Sequence, residues 1–530
     1  MIALEDIDNF EDQATWDLIS NGETKGVFQL ESKLGSTWAK KVKPQNIEEL
    51  ADLISIIRPG TLEAMLDGKN MTQHYVDRKF KIDETKYIDP ALEPLLGKTY
   101  GIIVYQEQAM KIATALAGFT PEEADMLRKA MGKKDAAIMK EVREKFIAGC
   151  TNQKIISDQS AAQIFDWIQA SARYSFNKSH AVAYAINAFR SAYCKVHDPI
   201  KFYEVYLNHT HTKSKKNTKQ MQIKSFIMDA KYRGIEVNPP RLGHLYQGFT
   251  LERDKGIINF GYSHIKSVGE GEQKKIDKVV NQAVVTLGKP LSDFTWLDCL
   301  FYITGEIKKN AVESLISSGA FTGINNKTSR NAMLFEFDIW DKLTDLEKAW
   351  IISKYDKKDS KQTFKLLFKR MVNENEKINS RRMTSVLDLY QALENPPYSI
   401  DDDFTWIADI EQKLMGCALT CSKVDMSSND VNITCADIAK GEIKAMKDAC
   451  LAVRINEVKE YVLKKGQNMG RIMGFVSGED NSGELDSITL FCDEFDKFKK
   501  LLFIGNTVLL YGEVQEKKDK SFVVKQVVQI

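Results

Sequence analysis

The period of the hydrophobic pattern changes near Lys444, and that change bounds the folds open to this chain. From Trp16 to about Pro199, and again through much of 260–419, apolar residues recur every three to four positions, which lines them along one side of a helix. Beyond Lys444 the pattern alternates instead, over Ala449–Val458, Met469–Val476, Leu485–Phe491, Val508–Val514 and Phe522–Val528. Alternation turns successive side chains to opposite faces of a strand. Five short strands separated by turns suit a small closed barrel of the OB type. A further short strand is expected at Gly256–Phe260. The fold class expected is therefore multidomain α+β, mainly helical and ending in a small β-barrel.

A chain of 530 residues is too long for one hydrophobic core and should form several modules. With 43% hydrophobic and 28% charged residues it lies in the globular range. It has no run of about 18 apolar residues, and Met1–Phe10 is acidic, so neither a membrane span nor a secretory signal is expected and the cytoplasm is the expected compartment. The eight cysteines include no CxxC pair and have no histidine cluster beside them, so they are read as reduced and mostly buried, with no structural metal. Cys417 and Cys421 are spaced as on one helix face. The net charge of +1 gives no global nucleic-acid signal, so any such binding must come from local basic patches.

One patch is Leu127–Lys134, four cations around Gly132. Thr120 is placed to cap the helix that carries it, with Pro121, Glu122 and Glu123 in the first turn, and Gly132 is expected to interrupt or kink it. Such a cluster either grips a triphosphate, Arg as a fork and Lys as a point charge, or is a solvated helix end. A second string, Tyr174-Ser175-Phe176-Asn177-Lys178-Ser179-His180, runs into the apolar helix Ala181–Tyr193. With Ser179 as cap, free backbone N–H groups and the Asn177, Lys178 and His180 side chains would make an anion site. The alternative is a capped helix with a packed His180. Glu107, in Tyr105-Gln106-Glu107-Gln108, is read as a carboxylate paired with a nearby cation, without a catalytic role.

Together Gly26–Ser32, Arg58-Pro59-Gly60, Thr99–Gln108, Arg128–Lys134 and Phe176–His180 resemble, in order and spacing, successive motifs of the bacterial DNA polymerase III alpha subunit. Ser175 stands where that family usually has glycine, and Lys129 where it more often has arginine. The resemblance implies a connector from the palm at 1–45, a fingers domain at 46–245, a helix-hairpin-helix and clamp-binding domain at 246–400, a linker helix region at 401–440 and an OB domain at 441–530. It implies an incoming-nucleotide pocket formed by Arg128, Lys129, Lys133, Tyr174, Asn177, Lys178, Ser179 and His180.

It also implies DNA contacts. Ile265–Gly271 looks like the hairpin of a helix-hairpin-helix, with Lys266, Gly269 and Gly271 at a DNA phosphate; a plain connection between helices is the alternative. Lys464, Lys465 and Arg471 of the barrel would face single-stranded template, and Phe475 or Phe491 would stack on a base, although phenylalanines in a barrel are more often core. Val386-Leu387-Asp388-Leu389-Tyr390 resembles the sliding-clamp pentapeptide, with Leu387, Asp388, Leu389 and Tyr390 as its matching positions. Val386 replaces the usual glutamine, and the spacing is equally that of an amphipathic helix.

The family's palm carboxylates lie upstream of the motif that begins here at Gly26. Asp6-Ile7-Asp8 imitates a catalytic Asp-x-Asp but is read as connector. The expectation is the C-terminal half of a split replicative polymerase. It would bind dNTP and primer-template DNA beside a palm-bearing partner polypeptide, which with the nucleotide would hold Mg2+, and would be inactive alone. The alternative is a non-catalytic DNA-binding or clamp-binding relic. A lysine-rich, short version of the family points to a viral gene, in which case the compartment is the host cytoplasm.

Overall fold

In the computed structural model, residues 4–133, 136–210, 219–357, 359, 361–374, 378–421, 424, 430–443, 445–515 and 521–530 are described. The chain divides into two compact units, Met1–Phe202 and Tyr203–Ile530, so the break falls inside the segment 46–245. No helix among the described residues is long and apolar enough to cross a membrane.

The first unit is helical and built on two apolar clusters. In one, the long helix Lys178–His197 lays Ala181, Ala185, Ala188, Phe189 and Ala192 against Gln13–Ser20 and Ile47–Ile56. Alanines at this spacing leave a narrow stripe, so the neighbouring helices can approach closely. In the other cluster, Gln106–Ala117, Pro121–Lys133 and Ala136–Gln153 pack together around Leu116, Leu127, Phe146 and Phe165. A side chain at Gly149 would reach 2.2 Å from the carbonyl oxygen of Ala117, so only glycine lets these two helices meet there.

The start of Pro121–Lys133 follows the sequence signal. Thr120 N–H donates to the Glu123 carboxylate at 2.9 Å, and Glu123 N–H donates to Thr120 Oγ1 at 3.3 Å, a reciprocal capping box. The described helix ends at Lys133, one residue past Gly132, and the next begins at Ala136.

The second unit opens with helical chain that includes Lys219–Tyr232, followed by a three-stranded sheet in which Ile257–Asn259 lies between Glu236–Asn238, parallel, and Thr250–Glu252, antiparallel. Helices then dominate from Glu270–Leu287 to Phe404–Met415. That last helix ends at Gly416 with φ 90°, so Cys417 and Cys421 lie beyond it and share no helix face. All eight cysteines are free thiols, with Cys194 and Cys421 half-buried and the rest buried.

The chain ends in the expected barrel: Met446–Val462, Ile472–Asp480, Gly483–Leu490, Thr507–Gln515 and Ser521–Gln529. It is closed in the order first, second, third, fifth, fourth and back to the first strand. The third and fifth strands pair in parallel, and the helix Cys492–Phe498 sits between the third and fourth in sequence. This is an OB-like arrangement. Its interior is mainly aliphatic, from Leu451, Val453, Ile488, Leu490, Val508, Leu510 and Val524, joined by Phe495 and Phe522.

Candidate functional site

Two strings 71 residues apart meet at the start of the helix Lys178–His197. Phe176 N–H donates to the Val104 carbonyl and Gln106 N–H donates to the Phe176 carbonyl, each at 2.9 Å, so Tyr105 and Phe176 form a one-residue parallel bridge. Glu107 completes the joint. Its carboxylate accepts the Asn177 amide N–H and the Lys178 backbone N–H, both at 2.9 Å. A carboxylate at a helix amino end is favoured by the dipole as well as by its hydrogen bonds.

The cap is Asn177 and not Ser179. Asn177 Oδ1 accepts the His180 backbone N–H at 2.9 Å and the Ser179 hydroxyl at 2.7 Å. Glu107 and Asn177 therefore take the Lys178 and His180 N–H groups, which leaves the Ser179 N–H as what remains of the cradle expected from the sequence. Glu107 pairs with an amide and a backbone N–H, where a cation was expected. Ser175 has an ordinary negative φ, so this turn does not require the family's glycine.

Beneath this joint lies a polar knot. Asp52 is buried and accepts the hydroxyls of Tyr105 at 2.5 Å and Tyr75 at 2.8 Å. Burial raises its carboxyl to about 6, against the opposing pull of the two hydroxyls and of Lys178. Burial, with the charge of Asp52, also drives both tyrosine hydroxyls above their usual range. Lys178 Nζ lies 5.6 Å above the Tyr105 ring.

The outer surface carries a file of rings. His180 is 5.4 Å from Phe176 and 3.9 Å from Tyr184, and Phe28 meets Tyr184 edge-on at 5.1 Å. Phe28 belongs to the Gly26–Ser32 string, which is tied to the same helix: Phe28 N–H donates to Ser191 Oγ at 3.0 Å, and the buried Lys195 ammonium donates to the carbonyls of Glu23 and Lys25 at 2.9 Å. At the other end of the file the Arg58 guanidinium lies 3.6 Å from the Phe176 ring centre. Pro59 sits in the first turn of the helix Pro59–Glu63. A side chain at Gly60 would reach 2.9 Å from the Arg173 carbonyl, so glycine lets the Arg-Pro-Gly turn rest against the Tyr174 backbone.

Of the expected pocket residues, Tyr174, Asn177, Lys178, Ser179 and His180 are thus gathered at one joint. Arg128 and Lys129 are on Pro121–Lys133, packed in the other cluster, and both bind Asp125, at 2.8 and 2.9 Å. These cations hold the Asp125 carboxyl below its usual range, Lys129 contributing most. The side chain of Lys133 and the whole of Lys134 lie outside the described residues. Arg58, Asp52, Tyr105 and Glu107 were not among the expected pocket residues. The Arg-Pro-Gly and Tyr-Gln-Glu-Gln strings marked Arg58, Tyr105 and Glu107, no motif marked Asp52, and only the fold shows what they touch.

In the second unit, Lys266, Gly269 and Gly271 are exposed, with nothing within 4 Å of a side chain built on either glycine. Only a 3-10 turn, Tyr262–His264, precedes the glycines, so the expected pair of helices reduces to one full helix, Glu270–Leu287. Glu272 in its first turn accepts the Lys308 backbone N–H at 3.0 Å. Lys464 and Lys465 are exposed between the first two barrel strands, whereas Arg471 is held by Asp493 at 2.6 Å and Asp496 at 3.5 Å. Phe475 and Phe491 are 39% and 50% exposed, outside the core that barrel phenylalanines usually join. The pentapeptide lies within the helix Met383–Glu394: Val386 is buried, Leu387 and Asp388 are exposed, Leu389 is half-buried, and Tyr390 stacks on Phe368.

A family profile for the bacterial DNA polymerase III alpha subunit finger domain matches residues 1–154. The chain is 31% identical over 527 residues to the DNA polymerase III subunit alpha of Pseudomonas aeruginosa, covering 96% of this chain and 41% of that protein. It is 38% identical over 313 residues to that of Aquifex aeolicus, covering 59% of this chain and 25% of that protein. With that of Staphylococcus aureus strain MRSA252 the identity is 29% over 514 residues, 96% of this chain and 42% of that protein. The chain thus spans between a quarter and about two fifths of the length of these relatives.

Proposed function

Because the chain belongs to the bacterial DNA polymerase III alpha-subunit family, as a portion of the C-terminal type, we propose that it grips the incoming dNTP and the primer-template DNA for template-directed synthesis beside a palm-bearing partner. The observation that carries this reading is the joint at Glu107, Asn177 and Lys178. There Lys178, on a capped helix end, stands beside a file of rings and the Arg58 guanidinium stacked on Phe176, the kind of cation and π-surface pairing suited to a nucleotide.

Phosphoryl transfer asks the protein mainly for position and charge. Lys178 and Arg58 supply positive charge at the joint, and Arg128 and Lys129 supply more on their own helix. The ring file offers a face on which a base or sugar can rest and from which water is displaced.

The residues described do not fit the divalent metals such a polymerase uses. Among them no three His, Cys, Asp or Glu side chains are grouped to hold an ion. Asp8 is clasped by Arg190 at 2.7 and 2.9 Å, and Asp52 is enclosed by two tyrosines. In this reading Mg2+ is held by carboxylates of the partner palm and by the nucleotide itself. The exposed barrel phenylalanines, with Lys464 and Lys465, take single-stranded template, and Leu387, Asp388, Leu389 and Tyr390 are offered to a sliding clamp. The boundaries 46–245, 246–400 and 441–530 remain the proposed working domains.

Photo-crosslinking with an azido-dATP tests the nucleotide site. Label in the peptide spanning Tyr174 to Tyr184, competed away by unlabelled dATP, is the expected result. Label confined to other peptides, or indifferent to competition, contradicts it.

A further inference from the structure

The amino end of the helix Lys178–His197 is the obvious place for a phosphate, and it is taken. Glu107 puts a carboxylate there, and Asn177 caps the His180 N–H. An incoming anion would meet that negative charge along the helix axis, so it must be held from the side, by cations not already committed to carboxylates.

Arg58 has that character. Among the described residues its guanidinium makes no ion pair and no hydrogen bond, and its Nε is buried without any partner. Partial burial lowers its affinity for its proton, yet an arginine stays charged at any working pH, so it remains a half-buried cation without a counter-ion. An unpaired charge of this sort costs stability, and arrangements that cost stability cluster at binding sites. Its plane is held by the Phe176 ring, 3.6 Å away, and its backbone by Pro59 and by the contact of Gly60 with Arg173. A stacked guanidinium keeps its N–H edges available for a two-point bond to an oxyanion.

We propose that Arg58 is the phosphate anchor of this site, binding two oxygens of one phosphate group while Phe176 fixes its plane. The inference rests on the nucleotide-and-DNA reading above. The phosphate comes either from a nucleoside triphosphate or from a phosphodiester of the DNA backbone, and the two sources separate experimentally.

The test uses the full chain and measures, side by side, dATP binding by calorimetry and binding of a labelled primer-template duplex by anisotropy at several salt concentrations. Arg58→Gln is expected to weaken one of them by about tenfold or more, as loss of a charge-assisted bidentate contact does. Loss in the dATP arm assigns the triphosphate. Loss in the DNA arm, with the slope of log K against log salt reduced by about one, assigns a backbone phosphate. Arg58→Lys, which keeps the charge and loses the fork, is expected to recover only part of the affinity.

Should Arg58→Gln fail to fold, Arg58→Lys and Phe176→Leu carry the test, each expected to weaken the same arm. If the parent binds both ligands and the folded variants bind both within twofold of it, the anchor is wrong while the polymerase reading stands. If the parent binds neither ligand, both fall.

Discussion

The Glu107 carboxylate accepts the backbone N–H of Lys178 at 2.9 Å and, through its other oxygen, the amide of Asn177. One side chain thereby joins the Tyr-Gln-Glu-Gln turn to the helix that presents the site. A charge-assisted bond of this type contributes about 1.5–3 kcal/mol. Glu107→Ala is expected to lower Tm and to weaken nucleotide binding together, whereas Glu107→Gln, which keeps one acceptor, loses less of each. Thermal unfolding with and without dATP checks this; an unchanged Tm in Glu107→Ala would show that the backbone bridge at Phe176 suffices alone.

Asp52 gives a pH dependence with a definite sign. Its carboxyl stands at about 6 in the folded chain, against an ordinary 3.8. Between those values the folded protein holds a proton that the unfolded chain has released. The contribution of this group to stability is therefore full below about pH 4, is lost as pH rises through about 6, and then stays level. The difference is worth about 3 kcal/mol. Asp52→Asn has no charge to desolvate and still accepts a tyrosine hydroxyl, so it should lose that slope and match or exceed the parent's stability at pH 7.5. Urea unfolding from pH 4 to 8 makes the measurement, and parallel profiles for the two proteins would contradict it.

Asp125 holds Arg128 and Lys129 on an exposed helix face. In an active assembly Arg128→Ala should raise the KM for dNTP several-fold. Asp125→Ala, which releases both cations, should leave KM unchanged or lower it and make it more salt-sensitive. Steady-state kinetics at two ionic strengths distinguishes these outcomes; an unchanged KM in Arg128→Ala removes that residue from the nucleotide site.

Phe475 and Phe491 lie on the barrel surface, so truncating either should hardly move Tm. If they stack on bases, each alanine variant loses about 1–3 kcal/mol of single-strand affinity. Anisotropy with a labelled oligothymidylate checks this, and equal affinity in the double variant would exclude both.

The sequence showed its global periods well and its local partners poorly. Alternation beyond Lys444 marked all five barrel strands, because period two depends only on each residue and its immediate neighbours. Thr120 and Glu123 marked a helix start for the same reason, since both halves of a capping box lie within four residues. The cap at Asn177 was missed because Ser179 is equally able to cap. What decided between them was Glu107, brought to the Lys178 N–H only by tertiary folding. Phe475 and Phe491 were left open between base stacking and core, because both sit on or beside barrel strands and composition does not say which face of a strand is inside. The grouping of Arg128 with the Tyr174–His180 string came from the order of motifs, whereas packing places them in separate apolar clusters.

The central claim is that this chain makes a palm-bearing partner productive. Primer extension measures it directly: the partner polypeptide alone, this chain alone, and the two mixed, each with Mg2+, dNTPs and a primed template. Extension by the mixture well above either component, reduced by Arg58→Gln, is the result expected. Extension by the mixture no greater than by the partner alone would contradict the claim and leave a chain that binds DNA without taking part in synthesis.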